Sequence, residues 1–336
     1  MDIKAKDLAN ILGISPSTVS MALNNKKGIS FERKKQIIEK IKELNCQNIL
    51  KKDNIGTNNI GFIIYKRHGD IIEQSPFFPL IIESINYELI KNNYNLIFFR
   101  LDRNNIKTSK KRIENSNCHG LIIFAVEAFE DDLEIFENLG KPFCILDNNF
   151  TYKSVDTISI DNRMGIYKSI KYLYELGHRK IGYIQSKTKI NSFIERFKYY
   201  HEIMDEFNLS VFDSDIYTVK YSEIGAYEDM KKLLSLNPKS CTAMIADNDM
   251  LAFASMRAFQ DIGINIPNDL SLIGFDDRPI CLNSTPKLTS ISIPKDIFGP
   301  LSVNLILNKI KNTNKPAVKI NISVDLVIRE STKSIK

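Results

Sequence analysis

The sequence predicts a small all-α head followed by a much larger α/β core, and three observations support this division. Apolar residues recur at helical spacing in about the first fifty residues, whereas short strand patterns alternate with helices from Ile60 onward. Charge divides at nearly the same point: residues 1–54 contain eleven Lys and Arg against six Asp and Glu, and the remainder contain 35 against 34. The 336 residues suffice for two or three domains with their own cores.

Residues 7–24 predict two short helices joined by a tight turn. The first helix has an apolar face made of Leu8, Ala9, Ile11 and Leu12. Gly13 ends this helix, because glycine enters the left-handed region without steric cost. Ser15 is a suitable N-cap for the second helix, whose Val19 and Leu23 face the first.

The second helix leaves small or polar residues on its outer side, as a helix-turn-helix does in the major groove of DNA. The candidate DNA-binding residues here are Ser15, Pro16, Ser17, Thr18, Ser20, Met21 and Asn24. A basic head on a near-neutral body is typical of a phosphate-binding module. Two helices that merely pack together are the alternative.

Ser30 caps a third predicted helix, which runs from Phe31 to Leu44 and completes the head. Its buried stripe consists of Ile37, Ile38, Ile41 and Leu44. Residues 46–59 are polar and basic, so we interpret them as a linker.

The alternation of strands and helices after Ile60 predicts βαβ units and parallel sheets. Predicted strands lie at 61–65, 94–99, 121–124, 143–146, 157–160, 181–184, 216–219, 243–246 and 271–275, with a helix at 80–91. The alternation breaks near 286–293, and residues 318–328 predict one final strand. Ligands of such folds bind beyond the carboxyl ends of the strands, so residues that follow strands are the candidates for a site.

Composition and motifs argue against several classes of protein. Five widely spaced cysteines without a C-x-x-C pair favour reduced thiols in the cytoplasm, and four isolated histidines lack metal-ligand spacing. No apolar run is long enough to span a bilayer, and the N-terminus lacks the pattern of a secretory signal. Glycine-rich phosphate loops and G-x-S-x-G are absent, so we expect no enzyme, cofactor or metal.

Motifs in a specific order along nearly the whole chain resemble the lactose-repressor (LacI/GalR) family of bacterial transcription regulators. The motifs are Asp7-Leu8-Ala9, Gly13-Ile14-Ser15, Thr18-Val19-Ser20, Ser75-Pro76-Phe77-Phe78, His119-Gly120-Leu121, Ile160-Asp161-Asn162-Arg163, Leu176-Gly177-His178-Arg179, Ala246-Asp247-Asn248-Asp249, Ile266-Pro267, Gly274-Phe275-Asp276-Asp277 and Pro286-Lys287-Leu288-Thr289. Each motif alone is weak, whereas their order and spacing are specific.

The resemblance implies a helix-turn-helix head on a periplasmic-binding-protein-like core of two doubly wound subdomains, with an effector in the cleft between them. It divides the chain into a head with linker at 1–54 and a core at 60–330. Crossings near Ile160, Ser290 and Ala317 give an N-subdomain of about 60–160 and 291–317 and a C-subdomain of about 161–290 and 318–330. The family also dimerises through its core, which sets two heads on a palindromic operator.

For the head, the resemblance implies that Pro16, Ser17 and Met21 select the operator. Methionine cannot make a bidentate contact with guanine, so Met21 suits a thymine methyl, and simple packing is its alternative. The family usually has a proline-containing hinge helix whose leucine enters the minor groove. Residues 46–52 stand in place of this helix and contain no proline. Leu50 is the candidate for the leucine that enters the minor groove, and a flexible linker is the alternative.

For the core, the resemblance implies an effector pocket at several strand ends. The candidate effector-binding residues are Phe77, Phe78, Asp147, Arg196, Lys220, Asn248 and Asp276. Arginine, carboxylates and an amide suit the hydroxyls of a sugar, while a salt-bridged lining without a ligand is the alternative for Asp147. Lys220 stands where the family places an aromatic residue over the ligand, which predicts a phosphorylated or acidic sugar.

The resemblance thus implies a cytoplasmic, ligand-switched regulator of carbohydrate-related genes that binds double-stranded operator DNA as a homodimer. A stand-alone sugar- or nucleoside-binding protein without a role on DNA is the alternative. The basic head and the missing signal segment argue against it.

Overall fold

The computed structural model describes residues 5–23, 29–43, 58–72, 78–236, 239–312 and 315–336, and the chain forms two compact units. The units are Met1–Asn58, called the head below, and Asn59–Lys336, called the core. In the described ranges no helix has both the length and the apolar character needed to cross a membrane.

The head contains three helices, α1 (Ala5–Leu12), α2 (Pro16–Leu23) and α3 (Phe31–Glu43). Their shared interior consists of Leu8, Ala9, Val19, Ala22, Ile37 and Ile41. Gly13 has a φ of 62° and ends α1 as predicted. Ile11 is half exposed, so its predicted place on the apolar face of α1 is wrong. Leu8 and Ala9 are buried, and the side chain of Ile11 points away from the interior that they form.

The first sheet of the core is entirely parallel and has the strand order β11-β5-β4-β3-β1-β2. Its strands are β1 (Asn59–Lys66), β2 (Asn95–Asp102), β3 (Cys118–Phe124), β4 (Phe143–Leu146), β5 (Thr157–Ile160) and β11 (Lys319–Ile322). Its helices are α4 (Phe78–Lys91), α5 (Ile106–Glu114), α6 (Leu133–Glu137) and α12 (Phe298–Lys311). We call this part of the core the N-subdomain.

The second sheet has the order β12-β10-β9-β8-β6-β7 and is parallel except for the pair β10 and β12. Its strands are β6 (Ile181–Ser186), β7 (Ile216–Val219), β8 (Ala243–Ala246), β9 (Ser271–Asp276), β10 (Thr289–Ser292) and β12 (Asp325–Val327). Its helices are α7 (Asn162–Glu175), α8 (Asn191–Glu206), α9 (Glu223–Leu236), α10 (Asp249–Asp261) and α11 (Ile280–Asn283). We call this part the C-subdomain, and the two sheets confirm the predicted pair of α/β subdomains.

The chain passes between the sheets after β5, after β10 and after β11. The predicted third crossing near Ala317 is wrong, because β11 pairs in parallel with β5 in the N-subdomain. The crossing lies between Ile322 and Asp325, so the predicted single strand at 318–328 is two short strands in different sheets. Both parts carry the same alternating apolar pattern, which therefore gave no sign of the break.

Candidate functional site

A cavity lies between the two subdomains, where the carboxyl ends of their strands face each other. The space between its lining atoms is about 450 Å³, a figure that includes the open mouth of the cleft. Its lining consists of Ile71, Phe124, Val126, Asp147, Ile160 and Ile293 with Ile190, Ser192, Phe193, Arg196, Tyr221, Asn248, Asp276 and Arg278. Both subdomains therefore contribute apolar walls, and the C-subdomain contributes most of the polar groups.

Arg196 is a buried arginine of α8 that is fixed from several directions. Its Nε donates to Oδ1 of Asn162 over 2.9 Å, and its Nη1 donates to the main-chain oxygen of Asp247. Its guanidinium carbon lies 3.6 Å from the centre of the Phe275 ring. The guanidinium is thus held in one orientation before any ligand enters.

Asp276, at the end of β9, lies between two guanidinium groups. Arg196 Nη2 is 3.7 Å from its Oδ1, and Arg278 donates to its Oδ2 from Nε over 3.1 Å and from Nη2 over 2.9 Å. The next carboxylate, Asp277, instead pairs with Arg329 over 2.6 Å. The adjacent carboxylates thus have separate partners, as expected for successive residues at a strand end.

Asn248 and Tyr221 form a second polar wall of the cavity. Oδ1 of Asn248 accepts the N–H of Leu251 over 3.1 Å and caps α10, while its Nδ2 donates to the hydroxyl of Tyr221 over 3.1 Å. The same hydroxyl accepts from Arg278 Nη2 over 3.4 Å. The amide and the phenol are therefore fixed by the protein itself.

Asp147 follows β4 with a φ of 59°, and its carboxylate forms no hydrogen bond or ion pair with any residue that the structure describes. Burial and the nearby charge of Asp276 raise the pKa of Asp147 to about 7, against the opposing effect of Arg196 and Arg278. A lining carboxylate without a protein partner is suited to accept or share a hydrogen bond with a ligand.

The buried carboxylate of Glu127 shapes the N-subdomain wall. Its Oε2 accepts N–H groups of Arg67, His68 and Gly69, and its Oε1 accepts those of Ile71 and Ile72, all over 2.9–3.1 Å. This arrangement fixes the loop after β1 and places Ile71 in the cavity. The sequence did not predict the role of Glu127, because the backbone N–H groups that it accepts lie more than fifty residues away along the chain.

Four of the predicted effector-binding residues meet in the cavity lining, namely Asp147, Arg196, Asn248 and Asp276. Lys220 does not join them: its side chain is 61% exposed, its Nζ lies 4.0 Å from Oδ1 of Asp229, and it is not part of the lining. Side chains alternate after β7, so Tyr221 faces inward in its place. Phe77 and the side chain of Phe78 lie outside the described residues.

Arg278 is the main cavity residue that the sequence analysis missed. It lies two residues beyond Asp276, close to the end of the same strand. Polar residues that follow strands are candidates for a site, and Arg278 meets this criterion as well as Asp276 does.

In the head, the candidate DNA-binding residues lie on the outer side of α2. Ser15, Pro16, Ser17 and Ser20 are exposed, whereas Thr18 and Met21 are partly covered. Ser15 Oγ lies 2.7 Å from the hydroxyl of Ser17 and 2.8 Å from that of Thr18, and it accepts the N–H of Thr18 over 3.1 Å. This capping arrangement supports the predicted start of the helix. Asn24 and Leu50 lie outside the described residues.

Comparisons with known proteins agree with both parts of this description. A periplasmic binding protein-like domain matches residues 170–332. The chain is 27% identical to the HTH-type transcriptional repressor PurR of Haemophilus influenzae over 98% of each chain. It is also 27% identical to the ribose operon repressor of the same organism, over 98% of this chain and 99% of the relative.

A solved structure adds a comparison in three dimensions. A LacI family transcriptional regulator from Enterococcus faecium, with bound ribose, superimposes with a TM-score of 0.69 at 26% sequence identity. The match covers 83% of this chain and all of that one.

Proposed function

Since the chain belongs to the lactose-repressor (LacI/GalR) family of transcriptional regulators, we propose that it is a sequence-specific repressor of carbohydrate-related genes, switched by a small-molecule effector. The effector is a sugar or a sugar derivative that binds in the cavity between the subdomains. The protein acts in the cytoplasm on double-stranded operator DNA, as a homodimer and without a cofactor.

One observation carries this proposal: a single chain joins a helix-turn-helix head to a cleft with polar groups fixed for a ligand. Arg196 and Asp276 are held by the C-subdomain, whereas Asp147 belongs to the N-subdomain. An effector that contacts both sets of groups binds the closed arrangement of the subdomains better than an open one. Such a difference in affinity is what a ligand needs to shift a two-state equilibrium.

The outer side of α2 is the proposed DNA-reading surface. Val19 and Ala22 are buried in the head, which turns Ser17, Ser20 and Met21 outward together. The N-terminus of α2 also favours a phosphate, because its backbone N–H groups and helix dipole attract negative charge. Met21 provides an apolar contact rather than a bidentate hydrogen bond to guanine.

The proposed dimer forms through an exposed apolar face of the core. Leu80, Tyr87 and Ile90 project from α4 into solvent. Leu282 of α11 is also exposed, and it lines one surface groove together with Leu80. Contiguous apolar residues of this kind are typical of protein interfaces and here span both subdomains.

A gel-shift titration on the DNA upstream of the protein's own gene tests the proposal. The wild type should bind a palindromic site far better than bulk DNA, with affinity that falls steeply as salt rises. Ser17→Asp should abolish specific binding, because it places a carboxylate against the phosphates. The same charge at the start of α2 favours the helix, so misfolding would not explain the loss.

The matched control is Gln36→Glu, which adds one negative charge to the exposed surface of α3. This variant should keep specific binding with at most a modest loss. A wild type that binds sugars but shows no preferred DNA site would instead be a stand-alone sugar-binding protein, and the proposal would be wrong.

A further inference from the structure

Three cationic side chains lie close to Asp276. The carboxylate of Asp276 faces the guanidinium groups of both Arg196 and Arg278. Lys295 adds a third cation, since its Nζ donates to the main-chain oxygens of Asp276 and Asp277 over 3.0 and 3.2 Å. Lys295 lies outside the cavity lining, so within the lining the guanidinium groups of Arg196 and Arg278 stand beside the carboxylates of Asp276 and Asp147.

Arg278 is nine-tenths buried and is only partly used by the protein. Its Nε and one Nη2 hydrogen bind Asp276, and Nη2 also reaches the hydroxyl of Tyr221. Its Nη1 has no hydrogen-bond partner within the ranges that the structure describes. A buried arginine that lines a cavity with free N–H groups is suited to an anionic oxygen, because guanidinium and oxyanion form strong charge-assisted bonds.

Some acceptor groups of the same cavity are already used by the protein. Oδ2 of Asp276 already accepts two hydrogen bonds from Arg278, and Oδ1 of Asn248 is used to cap α10. Among the described residues, the carboxylate of Asp147 and Oδ1 of Asp276 accept no hydrogen bond, and Arg196 Nη2 lies 3.7 Å from that Oδ1. These carboxylate oxygens remain for sugar hydroxyls, and Nη1 of Arg278 remains for an anionic oxygen.

We propose that Arg278 determines effector specificity by binding an anionic group, a carboxylate or a phosphate, on a sugar. This inference rests on the proposed function and narrows its ligand from any sugar to an acidic one. The anionic group takes the Nη1 side of Arg278, while the sugar hydroxyls take Arg196 and Asp147. The preference for an acidic sugar predicted from the sequence is thereby retained, with Arg278 in place of Lys220 as the cation in the cavity.

Calorimetry on the full chain tests the inference with matched sets of ligands. One set is D-ribose, D-ribonate and D-ribose 5-phosphate, and another is D-glucose, D-glucuronate and D-glucose 6-phosphate. In at least one set an anionic member should bind about tenfold or more tightly than the neutral sugar, the effect of one charge-assisted hydrogen bond. Whether the sugar acid or the phosphate ester binds best identifies the anionic group.

Arg278→Gln should remove this preference, whereas Arg278→Lys should keep part of it because the charge remains. The matched control is Arg329→Gln, which breaks the neighbouring pair with Asp277 but lies outside the cavity lining. Circular dichroism of each variant monitors folding, and Arg278→Lys keeps the test decisive if Arg278→Gln fails to fold.

Three outcomes would overturn the inference: neutral sugars that bind as tightly as anionic ones, a preference that survives in Arg278→Gln, or no binding of any anionic member. Gel shifts separate this failure from that of the proposed function. A wild type released from its operator by a neutral sugar would leave the regulator intact and refute only the role of Arg278.

Discussion

The guanidinium of Arg196 lies over the ring of Phe275, with its central carbon 3.6 Å from the ring centre. Because Nε and Nη1 are bound to Asn162 and to the main chain of Asp247, the stack leaves only the Nη2 edge directed toward Asp276. The cavity is therefore built around a charge whose position is set by the C-subdomain. Such preorganisation reduces the entropy that a ligand loses on binding.

Arg196→Lys should destabilise the core even without a ligand. Lysine cannot stack on Phe275 or donate at the positions of Nε and Nη1, so Asn162 and the Asp247 carbonyl lose partners. We expect the free energy of unfolding in urea to fall by about 2 kcal/mol. Arg163→Lys is the control, since Arg163 forms a half-exposed pair with Glu206 and should change stability by less than about 0.5 kcal/mol. Equal losses in both variants would contradict the role assigned to the stack.

Asp147 predicts how stability depends on pH. Burial and Asp276 raise its pKa to about 7, although Arg196 and Arg278 act in the opposite direction. The native state therefore binds a proton between the unfolded pKa of about 4 and the native pKa, and the associated stability is lost as pH rises through 7. Asp147→Asn should consequently raise the melting temperature more at pH 8 than at pH 5.

Two other buried carboxylates limit the size of this effect. Burial also raises the pKa of Asp247 to about 6 and that of Asp249 to about 7, so the variant should keep part of the pH dependence. Asp213→Asn on the exposed surface serves as the control. An unchanged difference between the melting temperatures at pH 5 and pH 8 in Asp147→Asn would show that Asp147 is ionised in the native state.

Short buried strands were predictable because their apolar runs are unambiguous. Phe143–Leu146, Thr157–Ile160, Ile216–Val219 and Ala243–Ala246 begin and end where the pattern does. Asp147, Asn248 and Asp276 were predictable as candidates for a related reason, since each lies at or just after the carboxyl end of a parallel strand. Asp147 follows a strand of the first sheet, and the other two lie at strand ends of the second.

Other features depend on geometry that local patterns do not encode. Lys220 and Tyr221 are adjacent, and only the direction in which the chain leaves β7 decides which of them enters the cavity. Arg278 reaches Asp276 because the chain turns at Asp276, whose φ is 104°. An aspartate in the sequence does not predict this backbone conformation. The break after Ile322 was not predictable, because apolar and polar residues alternate in the same way on both sides of it.

Tyr87→Asp should convert the proposed dimer to a monomer. Tyr87 is 64% exposed on α4, so a carboxylate there costs little in the isolated core but would be desolvated in an apolar interface. Light scattering after gel filtration measures the mass directly. Tyr152→Asp is the control because Tyr152 is 89% exposed on a loop after β4, away from α4. If both variants remain dimeric, the interface lies on another face.

Asn191→Ala should weaken effector binding by loosening the closed cleft. Asn191, the first residue of α8 in the C-subdomain, donates from Nδ2 to Oδ1 of Asn148 in the N-subdomain over 2.8 Å and reaches the main-chain oxygen of Ala128 over 3.3 Å. Asn148 is itself fixed, because its Nδ2 donates to the carbonyls of Ala125 and Ala128 over 2.7 Å each. The hydrogen bond between Asn191 and Asn148, called the bridge below, therefore joins the two subdomains beside the cavity.

Asn191 is not part of the cavity lining, so its loss should act through closure rather than through ligand contact. Removing a hydrogen bond worth about 1 kcal/mol from the closed arrangement should raise the dissociation constant of the tightest-binding sugar about fivefold in calorimetry. Glu202→Ala is the matched control, since Glu202 lies on the same helix and pairs with Lys198 at the surface. An affinity that is unchanged in Asn191→Ala would mean that the effector binds equally well without the bridge, and the closed cleft would then not be the state that the effector selects.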